Sequence, residues 1–220
     1  MIRGAIFDFD GTLFDSMSVW ETAGEVYLRS AGCEPERDLQ KVLKPMSLLQ
    51  AAGYLKRSYQ LSLTEEEIAG GVNSVVEDFY LHTVQPKPGM GACLEKLQAW
   101  DVKMCIATAA SRYQVEAALR RCGMERFFTE ILTCTAVGCG KDEPIIFREA
   151  LRRLQTGRRD TIVVEDALHA IRTAKEDGFI TVGVYDAYED RQREMRTYAD
   201  FFLGEEADWG GFWRFIAQIS

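Results

Sequence analysis

An α/β fold, a doubly wound parallel sheet with an early insertion of helices, is what this 220-residue sequence predicts. Three observations carry the prediction. The chain opens on a short apolar run of strand formers, Ala5-Ile6-Phe7, that stops abruptly at Asp8. From about residue 86 onward strand-like and helix-like segments alternate, the pattern of a parallel sheet with helices on both faces. Between these two parts, residues 15–85 show helical periodicity and no strand signal.

The elements follow from spacing. Val19, Ala23, Val26 and Tyr27 recur at helical intervals up to Gly32, which stops a first helix. Pro35 opens a second helical piece toward Leu43, and Pro45 a third through Leu48, Leu49, Ala52 and Leu55. Thr64 and Glu67 are spaced as a capping box ahead of a fourth, carrying Ile68, Val72, Val75, Val76 and Phe79. Gln85-Pro86-Lys87-Pro88-Gly89 is a linker, because prolines stop a helix and glycine permits a turn. The spacing then predicts helices over 90–100, 111–122, 142–155 and 167–177, and strands over 102–108, 128–133, 161–165 and 179–185. The apolar segment 201–203 and an aromatic helix around Trp209, Phe212, Trp213 and Ile216 close the chain, and that aromatic stripe reads as core packing. The division drawn from this is a core of 1–14 and 86–220 with an inserted α-helical cap of 15–85.

Composition narrows the function classes. A hydrophobic content of 47% supplies ample core material, and no apolar run approaches the roughly 20 residues of a membrane span. The N-terminus enters the first strand without a signal-peptide pattern, so a cytoplasmic protein without a membrane partner is expected, and a monomer. The net charge is −8 and basic residues are dispersed, which disfavours nucleic acid. An anionic small molecule remains compatible, since a metal and one lysine can reverse the potential locally. The six cysteines form no Cys-x-x-Cys pair and read as buried free thiols; with only two histidines, a zinc site is not supported.

The chemistry gathers where strands end. Along an extended chain Asp8 and Asp10 point the same way and Phe9 the other, so two carboxylates converge. Adjacent anions repel unless a cation lies between them, and a hard oxygen-ligated cation, Mg²⁺, suits two carboxylates. Gly11 lets the backbone turn, and its amide can face an anion. A helix N-cap accounts for one Asp, but poorly for two that flank a Phe and precede Gly-Thr. Thr108, at the end of Cys105-Ile106-Ala107-Thr108, places a hydroxyl and the Ala109 amide at a strand-to-helix junction that suits a phosphate oxygen, although an ordinary cap explains it equally. Lys141 stands in a loop before a helix, where a lone lysine is usually solvated. Ile162-Val163-Val164-Glu165-Asp166 repeats the opening logic on another strand.

Asp8-Phe9-Asp10-Gly11-Thr12 resembles the first motif of the haloacid dehalogenase superfamily. The Thr108, Lys141 and Glu165-Asp166 segments resemble its second, third and fourth, in the right order over essentially the whole chain. The resemblance is closest to the helical-cap subgroup that includes β-phosphoglucomutases and phosphoglycolate phosphatases. It implies a Rossmann-like core, Asp8 as nucleophile and Asp10 as general acid/base. Mg²⁺ would be held by Asp8, Asp10 and Asp166, and the phosphate by Asp8, Gly11, Thr108, Ala109 and Lys141, with Glu165 orienting Lys141. Two departures stand out. Asp142 and Ile145 replace a Pro and an Asp of the third motif, and Ala167 and Ala170 replace a Ser and a Gly of the fourth, which removes a hydrogen bond around the metal site.

The resemblance thus implies a Mg²⁺-dependent phosphomonoester hydrolase for a small phosphorylated metabolite, working through an aspartyl phosphate. A phosphomutase is the nearest alternative. In β-phosphoglucomutases a cap histidine shortly after the first motif guards the intermediate; Ser18-Val19-Trp20-Glu21 contains none, and His82 and His169 lie elsewhere. From other classes, a non-enzymatic phospho-acceptor switch is opposed by length and by the helical insertion, and a phosphate-ligand sensor rests only on the altered fourth motif. Lys41, Lys44, Lys56 and Arg57 are cationic candidates for substrate selection and equally solvated helix faces.

Overall fold

The computed structural model describes residues 1–43, 46 and 48–219. In chain order its elements are β1 (Gly4–Phe7), α1 (Met17–Ser30), α2 (Leu39–Leu43), α3 (Leu48–Ser58), α4 (Glu65–His82), α5 (Met90–Ala99), β2 (Lys103–Thr108), α6 (Arg112–Arg121), β3 (Phe128–Thr133), α7 (Cys134–Val137), α8 (Ile145–Leu154), β4 (Thr161–Glu165), α9 (Leu168–Glu176), β5 (Ile180–Val184), α10 (Gln192–Tyr198), β6 (Phe201–Leu203) and α11 (Trp209–Gln218). The chain divides into two compact units, Met1–Asp15 with Gln85–Ser220, and Ser16–Val84.

The first unit is an α/β Rossmann-like fold. Its six strands run parallel in the order β3-β2-β1-β4-β5-β6. The chain goes from β1 to β2 and β3 on one side and to β4, β5 and β6 on the other, so the order reverses at β1. That reversal opens a crevice beyond the strand ends, where open sheets bind ligands. β1 is buried throughout because helices cover both faces of a parallel sheet. Ile6, Cys105 and Val163 pack with Ile146, Phe147 and Ala150 of α8 and with Ala170 and Ala174 of α9, all fully buried or nearly so. Full burial of the Ile, Val and Phe side chains among these contributes roughly 1.5–3 kcal/mol each.

The second unit is all-helical. The capping box at Thr64 forms as the spacing requires: Thr64 Oγ1 accepts from Glu67 N at 3.2 Å, and Glu67 Oε2 accepts from Thr64 N at 2.8 Å. α4 tolerates a glycine at 71 because a Cβ there would collide with the Tyr27 ring of α1. The second helical piece begins only at Leu39, after Asp38 at a φ of 64°, so Pro35 does not open it directly. Pro45 and Lys44 lie outside the described residues. Lys41 pairs with Asp38 at 2.9 Å and Arg57 with Glu65 at 3.7 Å, as exposed helix faces do.

Three other differences from the sequence reading are local. α8 starts at Ile145 and not at 142, because Pro144 sits at its N-cap and residues 141–144 form a turn. The short helices α7 and α10 carry too few residues to show a period. No helix among the described residues is long and apolar enough to cross a membrane.

Asp200 ties the far edge of the sheet together. Its Oδ2 accepts from Thr181 N at 2.8 Å and Thr181 Oγ1 at 2.9 Å, and its Oδ1 pairs with Lys175 at 3.0 Å. Partial burial would raise this carboxyl, but these donors outweigh it and hold it below the usual aspartate range. A depressed folded-state value means that its contribution is complete above the unfolded value and is lost as pH falls through the folded one. Asp200→Asn is therefore expected to cost about 1 kcal/mol at pH 7. In urea unfolding at a series of pH values, that difference should close as pH falls through the depressed folded-state value, where the wild type itself becomes protonated.

Candidate active site

Register places the site. Phe7 is level with Ile106 of β2 and with Val164 of β4, so Asp8 and Glu165 leave the sheet at the same height. Asp8 is held there by its own N–H, which donates to the Val164 carbonyl at 2.9 Å. Thr108 ends β2 beside it, fully buried, and its Oγ1 accepts from Ala110 N at 3.0 Å. That bond uses a lone pair and leaves the hydroxyl proton to be donated elsewhere.

After Asp8 the chain turns at once. Leu13 and Phe14 donate their N–H groups to the Phe9 carbonyl at 3.1 and 3.0 Å, and Gly11 N donates to Phe14 O at 2.9 Å. Phe9, Leu13 and Phe14 are fully buried, and the Phe9 and Phe14 rings stack with centroids 4.5 Å apart. This apolar anchor holds a loop whose other residues, Asp10, Gly11 and Thr12, are polar or small. Gly11 has a φ of 74°, and a Cβ there would collide with the Asp166 carboxylate. Its amide is spent on Phe14, so Gly11 makes room and turns the chain; it does not present an N–H to an anion, as the sequence reading has it.

Lys141 is the pivot of the charge arrangement. The turn before α8 brings it back to the sheet edge at 8% exposure, and its Nζ donates to Asp8 Oδ1 and, at 2.6 Å, to Glu165 Oε1. The other oxygen of Glu165 accepts from Ala167 N at 3.0 Å, so both are engaged. Asp166 Oδ1 accepts from Thr12 Oγ1 at 3.0 Å. Thr12 thereby supplies a hydrogen bond to Asp166 although the fourth segment has alanines at 167 and 170, and Ala170 is simply core.

Among the described residues, Asp8, Glu165 and Asp166 are the buried group whose ligand atoms lie within 4.8 Å of one another. Burial, followed by the Glu165 and Asp10 charges, pushes Asp8 up to about 8, with Lys141 only partly opposing. Asp166 is raised for the same first reason and by Glu165, Asp8 and Asp186. Burial would lower Lys141, but Asp8 and Glu165 raise it, so it stays charged. One ammonium thus faces three buried carboxyls, an imbalance that a divalent cation would correct. An all-oxygen donor set fits Mg²⁺.

The structure brings Asp8, Lys141, Glu165 and Asp166 together, with Thr108 at the neighbouring strand end. Asp10 is half-buried and outside the close carboxylate group, because the chain turns after Phe7 where the alternation argument assumes an extended strand. Its charge still acts on Asp8. Ala109 lies exposed at the head of the loop before α6. Thr12 and a further buried acid, Asp186, go unread in the sequence. Thr12 has a signal, since it continues the Asp-x-Asp-Gly run; Asp186, isolated after an ordinary strand, has none.

Known proteins resemble this chain in sequence and in fold. A 23% identical relative over 70% of this chain and 71% of its own is the phosphorylated carbohydrates phosphatase of Thermotoga maritima. Two others are the glyceraldehyde 3-phosphate phosphatase of Methanopyrus kandleri (28%, 70% and 71%) and (S)-2-haloacid dehalogenase 2 of a Pseudomonas species (26%, 71% and 72%). In fold, a solved structure of a candidate beta-phosphoglucomutase from Thermotoga maritima superposes with a TM-score of 0.83 at 22% identity, covering 92% of this chain and 94% of that one. The family model of haloacid dehalogenase-like hydrolases matches residues 5–184, from the first residues of β1 to the end of β5. Since that span covers most of the chain and holds Asp8, Thr12, Thr108, Lys141, Glu165 and Asp166, the chain belongs to the haloacid dehalogenase-like hydrolases.

Proposed function

We propose that this enzyme hydrolyses a small phosphorylated metabolite, with Mg²⁺, through an aspartyl phosphate on Asp8. The observation that carries the reading is the buried Asp8 carboxylate at the sheet's switch point, aimed by Lys141 beside Asp166. An Asp8 oxygen attacks phosphorus in line as the bond to the leaving alkoxide breaks. Asp10 gives that alkoxide a proton, then takes one from the water that releases phosphate and restores Asp8. Thr108, the Ala109 amide and Lys141 bind the equatorial oxygens, where the charge of phosphoryl transfer resides. Asp8 and Asp166, with Asp10 at the same edge, would hold Mg²⁺, which when bound supplies positive charge to the phosphoryl group. Glu165 orients Lys141. Residues 15–85 act as the cap that selects the substrate.

Asp10 is the reason to prefer a phosphate ester to a haloacid, since a departing halide needs no proton. The helix Met17–Ser30 contains no histidine to keep water from the aspartyl phosphate, so water is the acceptor. The test is phosphate release with Mg²⁺ from p-nitrophenyl phosphate and a panel of small phosphomonoesters. The expected result is many turnovers, abolished reversibly by EDTA, with no halide from 2-chloropropionate. Release that stops at one equivalent would identify a phospho-acceptor instead. Interconversion of β-glucose 1-phosphate and glucose 6-phosphate, primed with glucose 1,6-bisphosphate and yielding little free phosphate, would identify a mutase.

A further inference from the structure

A second ion pair, its carboxylate buried and its ammonium half-buried, stands at the same edge of the sheet, outside the four motif-bearing segments. Asp186 follows β5 by two residues and is 2% exposed. Its Oδ2 accepts from Lys87 Nζ at 2.8 Å and its Oδ1 from Tyr188 N at 3.0 Å. Lys87 Nζ also donates to the Tyr185 carbonyl at 2.7 Å. A lysine in a proline-rich linker is ordinarily solvated. This one is folded inward to neutralise a buried carboxylate, an arrangement that costs desolvation and is weak as a source of stability.

Both residues of the pair adjoin the loop after Asp8, Asp186 through its carboxylate and Lys87 through its backbone amide. A Cβ on Gly11 would stand 3.2 Å from Asp186 Oδ2 while striking Asp166, so the two acids flank one glycine. At the other end the Lys87 N–H donates to Leu13 O at 2.9 Å. Segments 13–15 and 85–87 are joined further by the Phe14–Pro86 bridge and by Asp15 N donating to Gln85 O at 3.0 Å. Phe14 is in turn bridged to Asp10 and accepts the Gly11 N–H. Lys87 is thus the node at which the end of β5, the return linker and the Asp10 loop are tied.

We infer that Lys87, paired with Asp186, is a positioning residue for the proton transfer by Asp10. It holds the 10–14 loop in place and keeps Asp186 from acting as a further uncompensated anion beside Asp166. The inference rests on the phosphatase reading for its catalytic part, and on the loop geometry alone for its structural part. A misplaced acid harms esters with a poor leaving group most, because p-nitrophenolate leaves with little help and an alkoxide does not. A bystander strut would slow both alike.

The test compares wild type, Lys87→Met, Lys87→Arg and the double variant Lys87→Met/Asp186→Leu, which removes both charges and serves if the single variant does not fold. Using kcat/KM with Mg²⁺, which reports the step that phosphorylates Asp8, Lys87→Met should lose about 100-fold on β-glycerol phosphate and under about 10-fold on p-nitrophenyl phosphate. Lys87→Arg should recover most of the loss, and the double variant should keep the same selectivity. Without substrate, deuterium exchange at the Gly11, Leu13 and Phe14 amides should accelerate about tenfold in both Met-containing variants. Equal losses on the two esters, or no loss, would overturn the catalytic role, and unchanged exchange would overturn the positioning. If the wild type hydrolyses neither ester, the phosphatase reading fails, while the exchange measurement still decides whether Lys87 holds the loop.

Discussion

Asp8→Asn is expected to lower phosphate release by about 10⁴-fold or more, the scale on which loss of a covalent nucleophile acts. An amide oxygen is too weak a nucleophile to form the acyl phosphate, and no neighbour can replace it: Glu165 has both oxygens engaged and Asp166 is held by Thr12. The same change should leave the fold intact. Burial and the adjacent acids push the Asp8 carboxyl up to about 8, so a neutral isostere relieves repulsion, and Lys141 keeps Glu165 as its partner. Thermal unfolding should therefore show a midpoint equal to or above that of the wild type. A variant that retains more than about a hundredth of the wild-type rate would exclude Asp8 as the nucleophile.

Lys141→Met should damage both chemistry and folding. Loss of a preorganised positive charge beside the transferring phosphoryl group is expected to cost about 10²–10³ in kcat. Removal of one partner from a buried ion cluster typically costs about 3–5 kcal/mol, since Asp8 and Glu165 would be left facing each other. Part of that cost can be escaped by protonation, and this fixes the sign of its pH dependence. A carboxyl whose folded value is raised binds protons preferentially in the folded chain, so stability falls as pH rises toward and through that value. Without Lys141 the raised values climb further, and the deficit relative to wild type should be larger at pH 9 than at pH 6. Urea unfolding at the two pH values measures this directly; a deficit independent of pH would mean that the lysine does not serve to neutralise these acids.

Much of the site is legible in the order of residues because an acid or hydroxyl that terminates an apolar run has nowhere to go except the end of a strand. Asp8, Thr108 and Asp166 announce themselves in this way; Lys141 does not, since a lone lysine before a helix is usually solvated, and only the resemblance of its segment singles it out. Asp10 is harder. The period of two that aligns it with Asp8 holds only while the chain stays extended, and stacking of Phe9 on Phe14 favours a turn instead. Gly11 is legible as a turn, but the use of its amide depends on where Phe14 lies.

By itself the sequence determined the alternation of strands and helices, the helical insertion and the chemical identity of each strand's terminus, since all of these depend on neighbours within a few residues. Tertiary structure alone decided which strands are adjacent and at what register, and hence which termini meet. It also decided that Thr12 bonds Asp166, 154 residues away, and that Lys87 neutralises Asp186, 99 residues away. Those partnerships are invisible in a linear reading for a physical reason. A buried charge or hydroxyl must find a partner, but local spacing cannot say which one until the packed core has set the heights at which the strands end.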